Sequence, residues 1–222
     1  MRINKYVASA SSLSRRGADD AIGRGRVTVN GETAEPGTAV AETDVVALDG
    51  RVLTPAVSVT TIIFNKPVGY VCSRDGQGSD TIYDILPAEY QLLNPVGRLD
   101  KDSSGLLLLT NDGQLAQQLS HPKYEKTKVY EVRLNHALPA LSRQIISDHG
   151  IMLEDGRSQF QLERMEEGNE KSWRITMHEG RNRQIRRTFS ALGFTVVKLH
   201  RTHFGSYLLG DLPAGKTKVI AS

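Results

Sequence analysis

Four consecutive leucines, Leu106 to Leu109, stand between a charged loop and the stop Asn111-Asp112-Gly113. An apolar block this short, closed by turn residues, predicts a strand buried on both faces. The loop before it, from Val96 to Ser104, then lies at the mouth of a rigid sheet, a common position for catalytic side chains. Asp100 is held there beside Arg98 and Lys101. A carboxylate among cations stays ionised and is usable as a nucleophile or base. The same residues also fit a plainer reading, in which Asp100 caps a turn and pairs with Arg98 on the surface.

A chain of 222 residues, 39% hydrophobic, is long enough for one large or two modest domains and buries a core. Its apolar runs are too short to cross a membrane. The start, Met1-Arg2-Ile3-Asn4-Lys5, lacks the apolar segment of a signal peptide. One cysteine, Cys72, excludes an internal disulfide and a multi-cysteine metal site, and points to a reducing cytoplasm. It reads as a small core residue, since no His–Asp pair stands near it. His136, His149 and His178 share no metal-ligand spacing, so no metal is expected.

Net charge is only +3, but it is unevenly spread. Residues 1–30 carry Arg2, Lys5, Arg15, Arg16, Arg24 and Arg26 against Asp19 and Asp20. Residues 31–60 hold five acids against Arg51, and residues 180–222 hold eight Lys/Arg against Asp211. Basic clusters at both ends suit a polyanion gripped at two places, that is, nucleic acid.

At the start, Ile3, Tyr6, Val7 and Ala10 fall at helical spacing. Ser14 caps a second helix lined by Ala18, Ala21 and Ile22. Val27-Thr28-Val29 enters an Asn30-Gly31 turn, and Asp49-Gly50 marks another hairpin. Thr54 to Ser58 reads as a linker. Strands are then expected at Thr61–Lys66 and Gly69–Ser73, a Gly-rich loop at 74–80, and a short helix over 81–86. An amphipathic helix with Leu115 and Leu119 follows, ending at His121-Pro122.

Residues 126–132 alternate like a half-buried strand. Tyr130 there is a core tyrosine or, alternatively, a platform for an unstacked base. A helix is expected within 138–146, and a hairpin within 150–163 turning at Asp155-Gly156. Trp173 to His178 reads as a strand that leads into Arg181-Asn182-Arg183-Gln184-Ile185-Arg186-Arg187. From Asn182 the pattern is helical, with Ile185, Phe189 and Leu192 on the buried face. Arg183, Arg186 and Arg187 share the other face, where few acids are near in sequence, so an external anion is expected to relieve their repulsion. Val196 to Arg201 is a further strand, with Lys198, Arg201 and His203 extending a nucleic-acid surface.

Three separated motifs carry a resemblance. Gly97-Arg98-Leu99-Asp100 with Ser104-Gly105 and the aliphatic run to Thr110 resembles the signature loop of the pseudouridine synthases, in the branch typified by small-subunit rRNA pseudouridine synthase A. Asn65-Lys66-Pro67-x-Gly69-x-x-Cys72 and Glu179-Gly180-Arg181-Asn182-Arg183-Gln184-Ile185-Arg186-Arg187 match that branch in the same order, and Lys128-Val129-Tyr130 fits its base-facing tyrosine element. Arg2 to Tyr6, Ser14-Arg15-Arg16 and Val27 to Gly31 resemble the S4 RNA-binding domain, although Gly17 departs from its usual larger polar residue.

The resemblance implies an α+β protein. A small S4 domain (1–56) precedes a mixed, largely antiparallel-sheet catalytic domain (57–222). It implies isomerisation of an rRNA uridine to pseudouridine without a cofactor. Asp100 is the implied nucleophile or base, Arg186 its ion-pair partner, Tyr130 the stacking platform and Ile185 the apolar floor. Arg98, Arg183, Arg187 and Lys66 are expected to meet substrate, and Lys5, Arg15, Arg16, Arg24 and Arg26 to meet phosphates. Asp102 is taken as a loop-stabilising residue. The wording at 182–187 favours large-subunit rRNA, while Gly69 to Ser73 is closer to small-subunit enzymes. The partner is rRNA or an assembly intermediate, with the protein a monomer and no membrane involved. A noncatalytic RNA-binding assembly factor and a nucleic-acid N-glycosidase are the rival functions.

Overall fold

The computed structural model describes residues 1–54, 59–120 and 126–220. Two compact units emerge: residues 1–60 with 87–94, and residues 61–86 with the chain from Pro95 onward. The linker expected at 54–58 lies, except for Thr54, outside the described residues, as do His121 and Pro122.

In the first unit, α1 (Ile3–Ala10) packs against α2 (Arg15–Gly23). Ser14 Oγ accepts from the Gly17 amide at 3.0 Å, the expected N-cap. Four short strands follow, β1 (Val27–Val29), β2 (Glu32–Thr33), β3 (Val46–Leu48) and β4 (Arg51–Val52), in sheet order β2-β1-β3-β4. Asn30-Gly31 and Asp49-Gly50 all have positive φ, as the two-residue turns between paired strands require. Ile3, Val7, Ala18, Ala21, Ile22, Val27 and Val46 form a core of their own. Lys5, Arg15, Arg16, Arg24 and Arg26 are all exposed.

In the second unit the described residues form a nine-stranded sheet. Its strands are β5 (Thr61–Lys66), β6 (Asn94–Val96), β7 (Ser104–Thr110), β8 (Lys128–Leu134), β11 (Gln161–Arg164), β12 (Ser172–Met177), β13 (Val196–Phe204), β14 (Tyr207–Leu208) and β15 (Thr217–Ile220). The main path is β11-β12-β8-β13-β7-β5-β15. Every pairing along it is antiparallel except β13 with β7, which is parallel. Helices α3 (Gly113–Ser120), α4 (Ala140–Gln144) and α5 (Gln184–Ala191) join these strands, with the hairpin β9 (Ile151–Leu153) and β10 (Gly156–Ser158) standing apart as a two-stranded sheet.

The leucine block is the centre of this sheet. β7 lies between β5 and β13, and Leu106, Leu107, Leu108 and Leu109 have no exposed surface. Alternate side chains leave opposite faces. Leu106 and Leu108 join Ile63, Val96, Leu119, Phe204 and Leu209 in one cluster, while Leu107 lies opposite Phe64 and Leu109 opposite Ile62 in the register. Truncating any one to alanine costs about 2–5 kcal/mol. Gly105 has φ +106, and a Cβ there would stand 2.2 Å from the Arg201 carbonyl oxygen. Only glycine lets β7 and β13 approach this closely, which accounts for the Ser-Gly before the leucines.

Residues 69–73 do not form the expected strand. They make one isolated parallel bridge, Val71 with Thr81. Gly69 takes φ +97 and donates to the Lys101 carbonyl at 2.7 Å, and Cys72 Sγ lies 3.3–3.4 Å from the Leu99 backbone oxygen and nitrogen. The segment spends its polar groups on the loop that carries Asp100 and, through Val71, on Asp80 and Ile82 instead of on a sheet. Helix α5 starts at Gln184, two residues later than expected, because Arg183 adopts a left-handed conformation (φ 46°).

Candidate active site

The loop from Gly97 to Ser103 is fixed from beneath. Lys66, fully buried at the end of β5, donates through Nζ to the carbonyls of Pro67 (2.9 Å), Asp100 (3.1 Å) and Ser103 (2.8 Å). Burial pushes its ammonium below its ordinary pKa, and the Cys72, Asp100 and Asp102 charges act the other way. The Ser103 amide donates to the Asp100 carbonyl at 3.0 Å, closing a turn. Lys66 is thus a clamp on the loop backbone and reaches no phosphate, contrary to the expectation from sequence. A lysine is seldom fully buried, so a surface role is the natural reading until its three carbonyl partners are seen.

The Asp100 carboxylate remains 30% exposed. The guanidinium within ion-pair distance is that of Arg183, Nη1 to Oδ2 3.7 Å, and not that of Arg186 as expected. The left-handed turn at Arg183 sends its side chain over the loop. There it also forks onto both oxygens of Asp102 at 3.1 Å each. Arg186 is committed elsewhere: Nη1 to the Val196 carbonyl, Nη2 to the Asp102 carbonyl, both 2.8 Å, and Nε 3.3 Å from Asp102 Oδ2. Burial pushes the Asp102 carboxyl up, but the Arg183 hydrogen bonds and the charges of Arg186 and Arg183 outweigh it and hold the pKa below its ordinary value. Asp102 is therefore the anchor of both arginines.

The remaining basic residues of this segment also find internal partners. Arg187 makes a two-point bridge to Asp155 at 3.0 and 2.6 Å. Arg181 donates to Asp155 Oδ1 and to the carbonyls of Asp155, Gly156 and Arg157. The repulsion expected among these arginines is relieved by Asp102 and Asp155, which lie far off in sequence, and no external anion is needed for it.

A pocket of about 230 Å³ opens at Asp100. Arg98, Tyr130, Ile185, Leu199, Arg183 and Arg201 are among its lining residues. Tyr130 and Ile185 are almost wholly buried, at 7% and 4% exposure, while Arg98 is exposed at the rim. Arg187 and Lys66 do not line it. Arg201, read from sequence as an exposed cation, is 2% exposed and belongs to the pocket wall. The signal for this was present: Leu199 and Arg201 are two residues apart, so they share the inward face of β13. The pocket brings together one carboxylate, an aromatic ring, an aliphatic floor and four arginines, Arg98, Arg181, Arg183 and Arg201. That set can hold a planar ring beside a nucleophile and neutralise charge as it develops. Among the described residues no group of His, Cys, Asp and Glu is placed to hold a metal ion.

Residues 60–191 match the family described as RNA pseudouridylate synthase, and residues 1–46 match the S4 domain. This chain belongs to the RNA pseudouridylate synthase family. It is 37% identical to the ribosomal large subunit pseudouridine synthase B of Bacillus subtilis (strain 168), over 98% of this chain and 91% of that protein. It is 34% identical to the ribosomal small subunit pseudouridine synthase A of Pasteurella multocida (strain Pm70), over 95% and 91%. It spans about half the length of several longer relatives, 46% in the first of them. A pseudouridylate synthase crystal structure superposes with a TM-score of 0.70 at 30% identity, covering all of this chain and 96% of the other. The synthase match spans the Asp100 loop, the Lys66 clamp, Tyr130 and the arginine segment together.

Proposed function

We propose that this protein isomerises a uridine of ribosomal RNA to pseudouridine. The observation that carries the reading is the Asp100 carboxylate, held by its own backbone through Lys66 and opening onto a pocket walled by Tyr130 and Ile185. The target base leaves its stack and enters that pocket, at a cost of a few kcal/mol. Phosphate contacts supply this free energy, with Lys5, Arg15 and Arg16 of the S4 domain (1–56) among the donors. The catalytic domain is 57–222.

Asp100 acts as nucleophile or as the base that starts elimination. The N1–C1′ bond breaks, the uracil turns, and C5 joins C1′. The proton at C5 passes to solvent and N1 takes one up, so the isomerisation balances without water, redox change or another reactant. Arg183 pairs with Asp100 in the role the family motif suggested for Arg186. Tyr130 stacks on the base, Ile185 forms its floor, and Arg98 fills the stack that the base vacates. Similarity to synthase B and the wording at 182–187 favour large-subunit rRNA. The small-subunit reading rests on the similarity to synthase A. The protein works as a cytoplasmic monomer on rRNA or an assembly intermediate.

The test is release of tritium from rRNA labelled at uridine C5, with one transcript or partly assembled particle for each subunit. The reading expects release from one subunit only. Release of free uracil with an abasic site would replace it with the glycosidase reading. Tight binding without release from any substrate would favour the RNA-binding factor.

A further inference from the structure

We propose that Arg201 is the hydrogen-bond donor that receives the uracil carbonyl oxygen on which negative charge gathers when the glycosidic bond breaks, an inference that rests on the proposed reaction. Arg201 sits on β13 between Tyr130 of β8 and Gly105 of β7, its partners in register. At 2% exposure it is one of two buried cations among the described residues; the other is Lys66, whose ammonium is fully bonded. Arg201 is not. Its Nε donates to the Leu106 carbonyl at 2.8 Å, and Nη2 is buried with no partner. No carboxylate lies within ion-pair distance of it among the described residues.

A guanidinium cannot shed its proton, so burial cannot be escaped by neutralisation. An unpaired buried charge is retained against selection for stability when the missing partner arrives with a ligand. Arg201 lines the Asp100 pocket, which gives that ligand its place. Its aim is fixed. The Leu106 carbonyl holds one edge, and the guanidinium carbon lies 4.8 Å from the centre of the Phe204 ring. The group is a donor held in one orientation before charge appears.

Breaking N1–C1′ leaves the bonding pair on N1, from which it spreads to the two ring carbonyl oxygens. Two pocket cations closer to solvent are already paired, Arg183 with Asp102 and Arg181 with Asp155, and the third, Arg98, stands exposed at the rim. Of the two pocket arginines with a buried, unbonded nitrogen, Arg181 and Arg201, Arg201 is the one with no carboxylate partner among the described residues and with a terminal nitrogen, Nη2, left unbonded. It is thus suited to the uracil anion, and the base enters with a carbonyl edge toward β13 and its face toward Tyr130.

The experiment compares Arg201→Gln and Arg201→Lys with the natural protein on two RNAs, one with uridine and one with 5-fluorouridine at the modified position. Fluorine acidifies the ring, so the departing base needs less help. Single-turnover glycosidic cleavage is read by nucleoside chromatography, with RNA affinity measured in parallel. Loss of a donor of this kind typically costs about 10²–10³-fold. Arg201→Gln should lose that much on uridine, at least tenfold less on 5-fluorouridine, and little RNA affinity. Arg201→Lys, which keeps the buried cation and hence the fold, should fall between. Equal losses on the two RNAs, or losses below threefold in both variants, would overturn the assignment. Cleavage by the natural protein together with either result would leave the proposed reaction standing. No cleavage by the natural protein would remove the reaction, and this role with it.

Discussion

Replacing Lys66 by methionine removes the ammonium and keeps the stem. Three backbone carbonyls, those of Pro67, Asp100 and Ser103, lose the ammonium as donor, and that of Asp100 keeps the Ser103 amide. A hydrogen bond to a charged group contributes about 1.5–3 kcal/mol, so three of them amount to about 5–9 kcal/mol. Against this stands the cost of burying the ammonium, visible in its lowered pKa. The net loss is smaller than that sum and of the size usual when a buried group is left without its partner, about 1–3 kcal/mol, against the 5–15 kcal/mol typical of a domain. The loop bearing Asp100 also loses its fixed position, and misplacement by an ångström costs about 100-fold in rate. Urea unfolding of the second domain, single-turnover rate and RNA affinity are measured together. Stability and rate should both fall while affinity stays within about threefold. Unchanged stability and rate with much weaker RNA binding would refute the clamp and return Lys66 to the phosphate-contact role.

Gly105→Ala places a methyl group 2.2 Å from the Arg201 carbonyl in a backbone region hostile to side chains, so the second domain should fail to fold or lose more than about 3 kcal/mol, as read by circular dichroism and urea melting. His200 bonds Ser104 Oγ through Nδ1, and burial, with Lys198 assisting, holds its pKa below 6.5. The unfolded chain therefore takes up a proton first as pH falls below about 6.5, so stability drops across that window and His200→Asn should flatten the slope in pH-dependent melts. Changing Lys5, Arg15 and Arg16 together to alanine should weaken RNA binding and reduce the steepness of its salt dependence by about two units in a log–log plot.

The buried strand at 106–109 and the charged loop before it were legible because both are local: the leucines are contiguous and the turn residues flank them. The S4 helices and hairpins were legible for the same reason, through Ser14, Asn30-Gly31 and Asp49-Gly50. Pairings across long stretches of chain were not. Arg183 meets Asp102 from 81 residues away, and Arg187 meets Asp155 from 32. Which arginine faces Asp100 depends on one left-handed residue, Arg183, where helix spacing assumed a regular start. The sequence points Lys66 toward substrate and Arg201 toward a nucleic-acid surface because charge usually marks exposure, and only the sheet reveals both as buried. Gly69 to Ser73 has strand-like composition, but its polar groups are shared between the Asp100 loop and residues 80 and 82.

In the proposed mechanism Asp100 performs the chemistry and Asp102 only anchors arginines. Tritium release from C5-labelled rRNA tests it directly, comparing the natural protein with Asp100→Asn and Asp102→Asn. The account predicts no release above background for Asp100→Asn and a rate within about tenfold of natural for Asp102→Asn. Undiminished release from Asp100→Asn, or abolition by Asp102→Asn alone, would contradict it.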